Sequence, residues 1–185
     1  MEKNESRRAK MSKTLIKTAL LELMAEKPFS KISVKELCEQ ADVNRSTFYA
    51  HYYEQSDVLR EIEQETIDEI LSSLQDVYEN AEPLEQVIAF LEYVKANAPL
   101  FRILLVQEES KHFRPMFIEA SLGELRSEIE YKGDKKYEPF LLSFMMNAEV
   151  QIYIDWIESD FALPSSEIAK LILALWNNVW NIKID

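Results

Sequence analysis

Acid–base, nucleophilic and metal chemistry draw on histidine, cysteine and paired carboxylates, and this 185-residue chain has two histidines and one cysteine. Glu109-x-x-His112 has the i, i+3 spacing of a carboxylate-bridged di-iron ligand pair. Such a bundle requires a second E-x-x-H pair and two further glutamates, whereas the other histidine, His51, has Phe48 three residues before it. The pair therefore reads as a solvated helix start. Neither a glycine-rich phosphate loop nor a nucleophile elbow occurs. Cys38 falls at helical spacing with Val34, Leu37 and Ala41, an apolar stripe in which a thiol packs rather than reacts. A lone cysteine excludes an internal disulfide and a multi-cysteine zinc site, and it suits a reducing, cytoplasmic compartment. We expect no enzyme, no metal and no cofactor.

A different chemistry, recognition of a polyanion, is available between Lys31 and Tyr53. Arg45 can fork onto a guanine, Ser46 can hydrogen-bond a base edge, and Ala50, one turn on, can touch a thymine methyl. Lys31 and Lys13 add positive charge. The net charge of −12 opposes this until it is divided along the chain: residues 1–60 hold eleven Lys/Arg against nine Asp/Glu, and residues 61–185 hold ten against twenty-four. A polyanion should meet the N-terminal end and be repelled by the rest.

Those side chains act only if a helix presents them, and the pattern supplies one. Leu15, Ile16, Ala19, Leu20, Leu23 and Met24 form the stripe of a first helix that ends at Lys27-Pro28, since proline clashes with the preceding turn. Ser33 with Glu36 three residues later has the capping-box pattern at the start of a second helix. Asp42-Val43-Asn44 interrupts, and Asn44 caps a short third helix through Phe48 and Tyr52. Two short helices about a three-residue turn make a helix-turn-helix. Ser56, with Asp57 beside it, is expected to cap a long helix through Val77. Further helices are expected at about 84–96, 99–107, 111–130, 137–159 and 166–181. Two glycines among 185 residues leave few sheet turns, so the fold class is all-α. The expected division is a helix-turn-helix head over 1–55 and a helical body over 56–185. No charged-then-apolar leader opens the chain, and the most apolar stretch, 140–157, is broken by Asn147, Glu149, Gln151 and Asp155, so neither secretion nor membrane spanning is expected.

The string from Ile32 to Tyr53, with Ala41-x-Val43, Thr47-Phe48-Tyr49-x-His51-Tyr52 and then Asp57-x-Leu59, resembles the N-terminal signature of the TetR family of transcriptional regulators. The resemblance implies double-stranded DNA as partner and assigns Thr47, Tyr49 and His51 to the sugar-phosphate backbone, with Phe48 and Tyr52 as core pins. Packing locally is an equal alternative for His51. Two positions depart from the pattern. Asp42 stands where glycine is common, at a cost of up to about 1 kcal/mol if the turn is left-handed. Gln55 stands where the family often has a phosphate-binding lysine, and Glu54 beside it is acidic. A coactivator that keeps the fold and works through protein contacts is the alternative those two residues favour.

The C-terminal part resembles the short body of regulators related to dihydroxyacetone-kinase activators, through Leu91-Glu92-Tyr93-Val94, Phe101-Arg102-x-Leu104-Leu105 and Ile152-Tyr153-x-x-Trp156-Ile157. The last two helices are apolar on more than one face, with Phe144, Ala148, Ile152 and Trp156 carrying the surplus on the first of them. A twofold copy packed on Ile152, Trp156, Leu171, Leu175 and Val179 would cover the surplus, as would burial inside one chain. The resemblance further implies an unidentified small-molecule effector in a pocket that Phe90, Phe101, Leu104, Met116, Phe117, Met145, Met146 and Tyr153 would line, although each also suits an ordinary core.

Overall fold

The structure is a computed structural model that describes residues 7–106, 113–122, 131 and 133–182. The chain forms two compact units, the first closing at Thr66 and the second opening at Ile67. The described residues of both are helical, without strands.

In the first unit, α1 (Arg7–Glu26) buries Ile16, Ala19, Leu20, Leu23 and Met24, the residues of the predicted stripe. A single 3-10 turn, Phe29–Lys31, follows Pro28. α2 (Val34–Gln40) starts at Ser33, whose hydroxyl accepts the Glu36 N–H at 3.2 Å. The Glu36 carboxylate pairs with Lys27, which anchors α2 to the end of α1 and draws the Glu36 pKa below its ordinary value, mainly through that hydrogen bond. α2 closes in a Schellman turn: Val43 N–H donates to Cys38 O at 3.0 Å and Asp42 N–H to Glu39 O at 3.3 Å, with Asp42 left-handed at φ 51°. α3 (Arg45–Tyr49) is capped by Asn44, whose side-chain oxygen accepts the Thr47 N–H at 2.8 Å. The long α4 (Gln55–Asn80) then leaves this unit, having buried Val58, Leu59 and Ile62 in its core. Phe48 is fully buried and Tyr52 nearly so; truncating such a phenylalanine costs about 3–5 kcal/mol, which fixes α3 in place.

The start of α4 differs from expectation. It begins at Gln55, and Asp57 rather than Ser56 serves the exposed donors, accepting Tyr53 N–H at 2.8 Å and Glu54 N–H at 2.9 Å. A carboxylate is the stronger acceptor at the positive end of a helix. These bonds and Arg60 hold Asp57 below the usual carboxylate range, the bond from Glu54 N–H contributing most.

In the second unit, α5 (Pro83–Ala96) opens with proline at its first position, where no intrahelical donor is needed. Gln86 reaches back to the carbonyls of Tyr78 and Ala81 at 3.1 and 2.8 Å, satisfying the end of α4. α6 (Ala98–Phe101) widens into a π turn, Arg102–Val106, where the sequence predicts an ordinary helix. α7 (Phe113–Leu122), α8 (Glu138–Glu158) and α9 (Ser165–Trp180) complete the unit. The predicted helix over 111–130 extends outside the described residues at both ends, and so does the Glu109–His112 pair. Phe90, Phe101, Phe113, Phe117 and Tyr153 form one aromatic cluster with neighbouring centroids 5.1–6.3 Å apart. The buried Glu149 carboxylate accepts from Trp176 Nε1 at 2.9 Å and from the Tyr153 hydroxyl, tying α8 to α9. None of the described helices is long and apolar enough to cross a membrane.

Candidate functional site

Burial of Phe48 and Tyr52 sorts the rest of the third-helix region by geometry alone. Arg45, Ser46, Tyr49 and Ala50 are exposed, and Thr47 and His51 are half-buried. Asn44 organises the start of the helix: its side-chain oxygen also takes the Thr47 hydroxyl at 2.9 Å and the Ser46 hydroxyl at 2.6 Å. Both hydroxyls keep lone pairs free for other donors, and either must rotate before it can donate to a phosphate. The Tyr49 ring stands edge-on to Phe48 at 5.4 Å and remains 58% exposed, which braces an outward-facing hydroxyl. His51 lies beside Tyr52 with ring centroids 6.3 Å apart. Tyr53, which sequence reasoning passed over, is 87% exposed on the turn after α3. The signal was the doublet Tyr52-Tyr53, in which helix burial can absorb only one ring.

The head's cations divide into two sets. Lys13 and Lys17 reach Glu61 at 3.3 and 3.5 Å, Lys17 also reaches Glu65, and Lys27, Lys35 and Arg60 pair with Glu36, Glu39 and Asp57. Lys13, expected to add charge for a polyanion, is instead a brace between α1 and α4 within this unit. Burial pushes the Glu61 carboxyl up, but Lys13, Lys17 and the Tyr52 hydroxyl outweigh it, so its pKa lies below its ordinary value. Arg45, at the start of α3, and Lys31, on the 3-10 turn, have no carboxylate partner among the described residues, and neither do Arg7, Arg8 and Lys10 in the first turn of α1. Gln55 turns inward, donating from Nε2 to the Ile32 carbonyl at 3.1 Å, so this position fastens α4 to the loop before α2. Cys38 is buried, and burial raises its thiol pKa.

The body positions lie as follows. Phe90, Phe101, Leu104, Phe117, Met145 and Tyr153 are buried and Met116 half-buried, and the aromatic rings pack on one another. None of these seven lines the open groove of about 700 Å³ between α7 and α8; of the residues expected around a pocket, Met146 alone does. Among the expected interface residues, Leu171 is exposed and Ile152 and Leu175 half-buried. Trp156 and Val179 are covered by their own chain, Trp156 donating to Leu163 O at 2.8 Å and meeting the Phe161 ring at 4.8 Å. Phe144 on α8, expected with Ile152 and Trp156 in the surplus apolar face, is 63% exposed, and Phe140, which was not foreseen there, is 74% exposed.

Comparison with known proteins agrees with this architecture. Residues 15–62 match the family described as bacterial regulatory proteins, tetR family, and residues 81–178 match a transcriptional regulator C-terminal region of the same group. The chain is 24% identical over 151 residues to the uncharacterized HTH-type transcriptional regulator YxbF of Bacillus subtilis, covering 78% of this chain but 40% of that protein, so it spans less than half of that relative. It is 23% identical over 138 residues to the HTH-type dhaKLM operon transcriptional activator DhaS of Lactococcus lactis, covering 73% of this chain and 71% of that one. The crystal structure of a TetR transcriptional regulator from Streptococcus agalactiae superposes with a TM-score of 0.75 at 21% identity, over 92% of this chain and 96% of that one, which shows a shared fold. With both units matched, the chain belongs to the TetR family of transcriptional regulators, which are not enzymes.

Proposed function

We propose that the protein works as a homodimer whose two α3 helices read a palindromic operator in successive major grooves. The observation that carries this reading is Arg45: an exposed guanidinium at the capped start of α3, without a carboxylate partner among the described residues, whereas Lys13, Lys17, Lys27, Lys35 and Arg60 are paired. Arg45 and Ser46 read base edges, Ala50 meets a thymine methyl, and Thr47, Tyr49, His51 and Lys31 hold the backbone. A gel shift against the DNA flanking its own gene, run at several salt concentrations, tests this. Saturable, salt-sensitive binding supports it, and its absence at low salt contradicts it.

The exposed Phe140, Phe144 and Leu171, with the half-buried Ile152 and Leu175, support the dimer, because a monomer has no use for such apolar surface in water. Residues 1–55 are the DNA-binding part and 56–185 the effector-binding and dimerising part in this reading. An effector bound in the body shifts the equilibrium between two settings of α4, whose 26 residues span about 39 Å, and so changes the spacing of the recognition helices. DNA must then change effector affinity by the same factor. Ligand binding measured with and without operator checks the coupling, and equal affinities contradict it.

A second reading, a coactivator without operator binding, draws on two residues: Gln55 is committed to Ile32, and the exposed Glu54 faces solvent beside it. It predicts retention of a partner protein and no gel shift at any salt concentration.

A further inference from the structure

The groove between α7 and α8 is apolar along Ile118, Leu142, Met146 and Val150, and Arg114 is the one charged residue among those described as lining it. A guanidinium carries five N–H donors. Here one Nη2 donates to the Leu105 carbonyl at 2.9 Å, while the Nε N–H is shut off from solvent and has no hydrogen-bond partner. No described carboxylate pairs with Arg114, and Leu105 belongs to the π turn, which holds the group in a fixed orientation. Since Nε is out of a ligand's reach, the Nη N–H groups not spent on Leu105 are the donors on this permanently charged group that an anion in the groove can take. The charge favours one anionic group rather than several: residues 61–185 carry fourteen more acidic than basic residues, a field that repels polyanions. A volume of about 700 Å³ suits a ligand with an apolar body.

We propose that this groove binds a small molecule carrying a single carboxylate on an apolar tail, with the carboxylate on Arg114 and the tail along Ile118, Met146 and Val150. This deepens the reading of the body as an effector-binding unit and rests on it only for any consequence at DNA. The test uses the full chain without DNA, with decanoate, decanol and decylamine as probes, read by calorimetry and by the methyl resonance of Met146. Decanoate should bind at least about tenfold more tightly than decanol or decylamine and shift the Met146 methyl. Arg114→Gln should bring decanoate to the level of decanol and leave decanol unchanged. Ser143→Trp, which fills the groove and leaves Arg114 on Leu105, should remove binding of decanoate even if Arg114→Gln fails to fold. Equal binding of decanoate and decanol, affinity weaker than about 1 mM, or full binding by Ser143→Trp overturns the site. If decanoate binds as expected and DNA affinity does not change, the effector reading fails and the site stands.

Discussion

Asp42 holds the left-handed conformation of the turn between α2 and α3 at φ 51°, where its Cβ is crowded and glycine would not be. Asp42→Gly should raise stability by up to about 1 kcal/mol, seen as a higher denaturant midpoint with an unchanged slope. A lower midpoint would show that the aspartate side chain contributes more than the strain removes. Arg45→Ala should relax discrimination at one symmetric pair of base positions by about 1–3 kcal/mol per half-site, whereas Tyr49→Phe should weaken every sequence alike. Anisotropy titrations on operator variants separate the two patterns, and a uniform loss in Arg45→Ala would make it a phosphate contact. Glu61 ionises below its ordinary value of 4.5 in the folded state. Its contribution is therefore complete above the unfolded value and is lost as pH falls through the folded one. Glu61→Gln should flatten the decline in stability between about pH 5 and pH 3, and an unchanged decline would assign it to other carboxylates. Asp42 was legible because its role depends on three neighbouring residues. Lys13 was not, because its partner Glu61 lies 48 residues away and only the packing of α1 on α4 brings them together.

At the scale of elements, caps and breakers were readable where a single side chain settles the outcome: Pro28 ends α1, Ser33 starts α2 and Asn44 starts α3. At α4 several adjacent residues can each serve the same donors, and the carboxylate of Asp57 prevails over the Ser56 hydroxyl, whose hydrogen bonds to Glu54 instead. The π turn at Arg102–Val106 left no trace in spacing, since widening a helix by one residue changes which carbonyls are free but not which residues are apolar. The apolar pattern of α8 separated Met145, placed inside and buried, from Phe144, placed on the surplus face and exposed, adjacent residues about 100° apart on the helix; Phe140, one turn earlier and also exposed, was passed over. Gln55 joins α4 to the preceding loop, which yields a prediction for the element as a whole. Gln55→Lys should trade the bond to Ile32 for a phosphate contact, tightening DNA binding and steepening the salt dependence by about one unit of slope. An unchanged slope would show that this end of α4 does not approach DNA.

For the whole molecule, the account joins two claims, that two copies assemble and that the pair reads DNA through α3. Leu175→Glu places like charges in the proposed twofold face and should give monomers in sedimentation; Phe144→Glu, at a fully outward position, should do the same without disturbing the chain's own core. A dimer that survives both changes would locate the interface elsewhere. The most direct test of the central claim is DNA binding by the wild-type chain and Arg45→Ala on a panel of single-base-pair variants of the flanking DNA, measured at about 50 and 200 mM salt. The account predicts saturation at two chains per duplex, loss of affinity at symmetric positions for the wild type, and loss of that selectivity at one symmetric pair in Arg45→Ala. Affinity that is the same for every variant in the wild type, or no saturable binding at the lower salt concentration, would contradict it.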